Sequence, residues 1–299
     1  MSMRPAAVTS VLAISLGLAG SFVISLPLKP GRAAFNIQEG RVLLGSPNGE
    51  TSLSGDFEIT PSDGSPSSID AAANFMVDAF WLQSPQNLIA AGGDVTAIDE
   101  SLRISLARRQ AEDLTNKYGE RMGKRVLESS LIKATEKGES EILGLVAIEA
   151  RLFDLDKKVI MSAEQSELVL KNAVASLGPK QRRQYKDSSA SEIVAELTSP
   201  EIRAICVLSN LSVSPNARRK GLGAMMCTEA ERMAKEDWHF DQIYLKVEEQ
   251  NDVAKGLYES KLGYEIKFTD PSALGLRVDV DAGDFSEVPA ATLVLAKDL

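Results

Sequence analysis

The run Ile202–Val213, IRAICVLSNLSV, constrains this chain more than any other segment. It is the most strand-like stretch present, apolar enough to lie inside a sheet rather than at its rim. Ser214-Pro215-Asn216-Ala217 then forms a turn,. A helix candidate over Asn216–Lys235 follows, opened by Arg218-Arg219-Lys220-Gly221-Leu222-Gly223-Ala224. A buried strand that turns straight into a helix needs that helix to pack back on the sheet, which is the unit of a layered domain.

The surrounding sequence repeats this alternation. Asp56–Thr60 alternates polar and apolar residues as a short strand does,. Ile69, Ala72, Ala73, Met76, Val77 and Phe80 share one face of a helix over Ser68–Trp81,. A second helix is expected from near Thr96, with Thr96 and Asp99 in capping-box spacing, ending before Gly119,. Lys124–Glu136 and Glu141–Leu152 read as a hairpin turning at Gly138,. Downstream, Gln242–Val247, Tyr264–Phe268 and Thr292–Ala296 read as strands, and Asp252–Leu262 as a short helix ended by Gly263. The stretch 157–200 fits this order least and is expected to be an insertion, partly disordered or lid-like, with a helix over Met161–Ala175. The expected class is α/β (α+β).

The first 38 residues carry no acid, and Val11–Leu26 is an apolar run of 16 residues closed by Pro27. That is short for a membrane span of about 20 residues and suits the core of a secretory signal. Lys29, Arg32 and Ala33-Ala34-Phe35 follow. The Ala-Phe junction resembles that of two-part plastid leaders, so residues 1–34 are expected to be a leader to the plastid, with the secretory pathway as the alternative. Residues 35–55 are expected to be a linker and 56–299 the functional domain. A fluorescent fusion of residues 1–45 tests the destination, and a cytosolic signal would defeat the plastid reading.

Composition removes several chemistries. The 42 Asp+Glu against 33 Lys+Arg give a net charge of −9, which argues against a chain that grips nucleic acid through phosphates. Two cysteines, Cys206 and Cys227, build neither a disulfide scaffold nor a four-cysteine zinc site,. One histidine, His239, excludes paired-histidine metal sites,; it is expected to pack in the turn before Gln242. No metal and no stable membrane association of the mature chain are expected.

The segment Arg218–Ala224 carries the chemistry. Free backbone N–H groups at a helix N-terminus point at an anion, and the helix dipole favours it. Gly221 and Gly223 lack a Cβ, so phosphate oxygens can approach the backbone. Arg218, Arg219 and Lys220 add local positive charge to an acidic chain. The spacing is R-x-x-G-x-G; a Walker A loop and a dinucleotide G-x-G-x-x-G are both absent at this position,.

This region resembles the GNAT superfamily of N-acetyltransferases, whose hallmark is Q/R-x-x-G-x-G/A. Leu208–Pro215 resembles the family's fourth strand and turn, and Leu245–Val247 its fifth strand. Asn251, Ala254, Leu257-Tyr258 and Leu262-Gly263-Tyr264 resemble its N..A..LY...LGF/Y signature, over about 65 residues from Ile202 to Phe268. The whole chain most resembles plastid and cyanobacterial-type acetyltransferases of protein amines. The resemblance implies a central mixed, mostly antiparallel sheet flanked by helices, with strands four and five splayed. It implies acetyl-CoA as cosubstrate. Leu211, Ser212 and Val213 would bind the pantetheine arm, and Arg218, Arg219, Lys220, Gly221, Leu222, Gly223 and Ala224 the pyrophosphate. Asn251 and Ala254 would lie against the cofactor, and Tyr258 would protonate the leaving thiolate. Phenol and thiol have ordinary pKa values within about two units, so that transfer is nearly balanced.

The base stays open among Glu149, Glu201, Glu248, Glu249 and a water chain ending on Ser209 or Asn210. The expected function is transfer of acetyl from acetyl-CoA to a protein amine, N-terminal or lysine, and the acidic body suits a cationic acceptor. A small-amine acetyltransferase and a non-catalytic acyl-CoA sensor are the alternatives.

Overall fold

The computed structural model describes residues 57–83, 85–89, 98–121 and 127–299. The expected leader and linker, Thr96 and the start of the expected strand at Lys124 lie outside these residues.

Strand β1 (Phe57–Pro61) leads to α1 (Pro66–Met76), capped by Ser65 with Pro66 at its first position,. The helix continues as a π-turn over Val77–Trp81. After the short β2 (Leu88–Ile89), α2 (Glu100–Tyr118) is capped by Asp99, whose carboxylate accepts the Leu102 N–H at 2.8 Å. The expected start near Thr96 therefore moves to Glu100. Strands β3 (Ser129–Glu136) and β4 (Ile142–Asp154) form the expected hairpin, turning at Gly138, whose φ is 86°.

The stretch 157–200 is ordered secondary structure, not a disordered lid. It holds β5 (Val159–Ile160), α3 (Ala163–Ala175), α4 (Pro179–Arg182) and α5 (Ala190–Leu197). Ser162 with Gln165 and Ser189 with Glu192 make capping boxes for α3 and α5,. Leu170, Ala190, Ile193 and Val194 enter the main core. The buried Ser166 hydroxyl accepts the Leu152 N–H at 3.0 Å.

Next come β6 (Ile202–Val213), α6 (Leu222–Arg232) with a π-turn to Asp237, β7 (Gln242–Glu248), and α7 (Asp252–Lys255) with a π-turn to Lys261. Strands β8 (Glu265–Asp270), β9 (Leu274–Asp279), β10 (Asp284–Pro289) and β11 (Thr292–Asp298) end the chain. The hairpin β9–β10 is absent from the sequence reading. His239 is exposed, at φ 59°, and its neighbour Phe240 packs in its place.

The main sheet runs β1-β3-β4-β6-β7-β11-β8, antiparallel throughout except for the parallel pair β6/β7. A parallel pair needs a crossover, and α6 supplies it. One face of the sheet carries the main core, with Met226, Cys227 and Ala230 of α6, and Ala254 and Tyr258. Burial of Cys206 and Cys227 raises both thiol pKa values, so they are inert packing groups,. The other face is covered by α1 and α2 over Leu131, Leu145 and Ala147. Beside them β9 packs Leu276 and Val278 against Val77, Phe80 and Trp81 of the π-turn.

Candidate functional site

Strand β6 pairs with β7 only at Cys206↔Ile243, Val207↔Tyr244 and Leu208↔Leu245. Beyond Leu208 the two strands part. Asn210 sits there at φ 56°, where β6 takes one extra residue between Ser209 and Ser212 against β4. That bulge bends β6 away from β7, and Asn tolerates the left-handed conformation it needs. Leu211, Ser212 and Val213 are buried, Ser212 and Val213 remain paired to Leu145 and Gly144 of β4, and their β7-facing backbone edge is open. An extended amide chain can lie along such an edge by strand-like hydrogen bonds. The Asn210 Oδ1 and Ser212 Oγ atoms are buried with no hydrogen-bond partner among the described residues. Asn210 heads a formal glycosylation sequon, and its burial leaves no room for a glycan.

The open edge leads to a cavity of about 560 Å³ between the starts of α6 and α7. Its lining includes Val213, Arg218, Arg219, Gly221, Leu222, Gly223 and Ala224 from one side, and Val253, Gly256, Leu257 and Lys261 from the other. The helix starts at Leu222, later than the expected Asn216, because Pro215–Ala217 makes a tight 3₁₀ turn first. Gly221 caps α6 at φ 84° and no side chain caps its N-terminus. The Leu222 and Gly223 N–H groups therefore have no intrahelical acceptor, while the Ala224 N–H donates to the Gly221 carbonyl at 3.0 Å,. A Cβ on Gly223 would meet the protein only at 3.7 and 3.9 Å, so alanine fits the fold there but projects into the cradle.

The cations divide. The Arg218 guanidinium is turned inward, donating to the Val213 carbonyl at 2.9 Å and the Ala79 carbonyl at 2.9 Å, and burial depresses its pKa. It holds the loop while also lining the cavity in which its expected role on the pyrophosphate lies. Arg219 and Lys220 are exposed and form no ion pair among the described residues. Lys261, which the sequence reading passed over, joins Arg219 in the cavity lining. Its spacing three residues after Tyr258 on a helix was the signal available.

Tyr258 is 1% exposed and its ring meets Tyr264 edge-on at 5.7 Å. Burial raises its phenol pKa well above the ordinary value, with Cys227 adding to the effect. It stays protonated at neutral pH, as a proton donor must. The Asn251 carboxamide oxygen caps α7 by accepting the Ala254 N–H at 3.0 Å, and Ala254 is fully buried. Both fix the start of α7 where it borders the cavity.

The candidate bases do not form a set. Glu201 precedes β6, eight residues of strand from Ser209, which at about 3.3 Å per residue is roughly 26 Å. Glu248 is held by Arg277 of β9 at 2.8 and 2.9 Å. Glu149 is buried and accepts from the Tyr118 hydroxyl and the Arg151 guanidinium. Burial opposes its ionisation, but Arg151, Lys117 and the Tyr118 hydroxyl outweigh it and lower its pKa. Glu249 is exposed past the end of β7. Among the described residues no cluster of His, Cys, Asp and Glu is arranged to hold a metal, and no helix is long and apolar enough to cross a membrane.

No curated protein sequence matches the chain. Solved structures of similar fold include the ribosomal-protein-S18-alanine N-acetyltransferase of Escherichia coli, 13% identical over 81% of this chain and 93% of that one, at a TM-score of 0.41. Arabidopsis thaliana NAA60 in complex with acetyl-CoA is 11% identical over 81% and 98%, at 0.43. The polyamine N-acetyltransferase of Drosophila melanogaster is 12% identical over 82% and 100%, at 0.42. The model of the acetyltransferase (GNAT) family matches residues 192–264. That segment begins inside α5 and spans the bulged and splayed β6, the glycine cradle, β7 and Tyr258, so the site lies within the part of the chain that is similar to the acetyltransferase (GNAT) family.

Proposed function

We propose that the protein transfers acetyl from acetyl-CoA to a primary amine of a protein or peptide. The observation that carries this is the continuity of the splayed β6 edge with the cavity at α6, with Tyr258 on the face that α6 and α7 cover. The pantetheine arm would lie along Leu211–Val213 and the pyrophosphate against the N–H groups of Gly221–Gly223, with Arg219, Lys220 and Lys261 as the free cations. Arg218 acts on this site through the loop it holds.

The chemistry follows from that placement. The thioester reaches the apex of the splay, where backbone N–H groups of β6 left without β7 partners can donate to its carbonyl oxygen as the tetrahedral charge develops. The amine attacks from the face opposite α6 and α7. When the carbon–sulfur bond breaks, the Tyr258 hydroxyl gives its proton to the sulfur, and the proton lost by the attacking nitrogen passes through solvent to restore the phenol. A non-catalytic sensor would have no use for a buried phenol held protonated on this face.

The test is acceptor profiling of the purified chain with acetyl-CoA against peptides and a panel of small amines. Acetylation of a peptide α-amine or lysine is the expected result. Transfer to small amines alone would replace this reading with the small-amine one. A narrower prediction concerns the cradle. Gly223→Val should weaken acetyl-CoA binding about tenfold or more, since its side chain fills space the phosphates need. The melting temperature should stay near that of the parent, because a Cβ at this position meets only the side chains of Val213 and Leu257, at 3.7 and 3.9 Å. Unchanged affinity in a calorimetric titration would remove Gly223 from the site.

A further inference from the structure

We propose that the acceptor carries a carboxylate close to the amine it presents, and that Lys246 receives it. The inference rests on the acetyl-transfer reading above and names its acceptor class.

Lys246 is the first residue of β7 beyond the last β6–β7 pair, Leu208↔Leu245, so it stands at the apex of the splay. Strand alternation places it with Tyr244 and Glu248 on the face turned away from α6 and α7, the side from which the amine attacks,. Its surroundings on that face are apolar. It lies opposite Val294 of β11, which is opposite Phe268 of β8, and the adjacent Tyr244 packs on Phe153 at 5.9 Å. Lys246 is half-buried and makes no ion pair or hydrogen bond among the described residues. Burial lowers its pKa, and the charges that act on it are one of each sign, Asp270 raising it and Arg151 lowering it.

The carboxylates of this face are already engaged. Glu149 is held by Arg151 and Tyr118, and Glu248 by Arg277. Asp270 accepts from the backbone N–H and hydroxyl of Ser272 at 3.0 and 2.9 Å. Asp270 keeps its charge and acts on Lys246 from a distance, but among the described residues no carboxylate pairs with the ammonium, so the side chain left open to an acceptor at the splay is a cation, although the chain as a whole is acidic. A desolvated ammonium gains most from a carboxylate delivered by the ligand, through a charge-assisted hydrogen bond. An acidic side chain in the first two residues of a peptide brings such a group beside an α-amine, as does the α-carboxylate of a free amino acid. The local charge thus reverses the cationic acceptor that net charge alone suggests.

The experiment uses the full chain, acetyl-CoA and peptides matched except for acidic, neutral or basic side chains at their first two positions, with free glutamate, glycine and spermidine beside them. Acidic peptides should exceed neutral ones in kcat/KM by about tenfold, mainly through KM. Lys246→Gln should bring that ratio to about one, Lys246→Arg should keep it, and Lys246→Glu should turn preference toward basic peptides. Faster turnover of free glutamate than of acidic peptides would give the same carboxylate a small-molecule source. An acidic preference that survives Lys246→Gln, or an equal fall in kcat for every acceptor, overturns the proposal. Binding to the CoA-loaded protein is titrated in parallel. Lys246-dependent binding of acidic peptides without transfer would remove the transferase reading and leave this one. Transfer with no charge preference would do the reverse.

Discussion

Replacing Tyr258 by phenylalanine is expected to lower kcat by about 10²–10⁴-fold, the usual contribution of a positioned general acid. Acetyl-CoA affinity should hold. The ring occupies the same place against Tyr264, and the hydroxyl removed has no hydrogen-bond partner among the described residues. The fold therefore loses no bond and gains no orphaned donor. The direction of the phenol pKa sharpens the test. Burial raises it, so the proton stays on oxygen as pH climbs past the ordinary tyrosine value. Any alkaline fall in the parent's activity near or below pH 10 must then come from another group. Steady-state kinetics across pH, beside calorimetric titration of acetyl-CoA, reads both. Unchanged kcat would remove Tyr258 as the donor.

The second large effect is on stability. Arg151→Met should cost about 3–5 kcal/mol, because it strips the cation from a carboxylate with nowhere to go. The side chains of Arg151 and Glu149 are 11% and 7% exposed. Glu149 would keep the Tyr118 hydroxyl but lose two guanidinium donors. The double variant Glu149→Leu with Arg151→Met should recover most of that loss, since neither member of the pair is then left buried without the other. The sign of the pH dependence follows from the folded carboxyl titrating below its ordinary value of 4.5. Its stabilisation is present above that value and disappears as pH falls through the lowered folded pKa, so parent and Arg151→Met should converge in acid. Urea unfolding at neutral and acidic pH measures it. A loss below about 1 kcal/mol at neutral pH would show the pair to be solvated.

What the sequence disclosed was what local pattern encodes. The run Ile202–Val213, the glycine spacing and the α1 stripe are each set by neighbours a few residues apart, and all fold as that pattern reads. The hairpin β9–β10 was passed over although Leu274, Leu276, Val278 and Val280 alternate with smaller or charged residues as a strand does; its partner β2 is only two residues long and gives no pattern of its own. The stretch 157–200 looked loose because its core residues, Leu170, Ala190, Ile193 and Val194, are widely spaced among polar ones. The bridge from Arg218 to Ala79 escaped for a similar reason: the two lie 139 residues apart, and no spacing rule reaches that far. The positive character of the acceptor side was invisible for the opposite reason. It depends on which acids are already taken, and composition counts acids without saying which are free.

The Arg218 bridge has a consequence for how the chain can be divided. The segment 192–264 holds the strand, the loop and the helix that mark the family. Yet the shape of that loop is pinned by a carbonyl in the π-turn after α1, and Gly144 of β4 is the residue against which Met226 of α6 closes. The recognisable portion is thus not portable. Cut out, it would keep every residue of its signature and lose the two outside supports that give the signature its form.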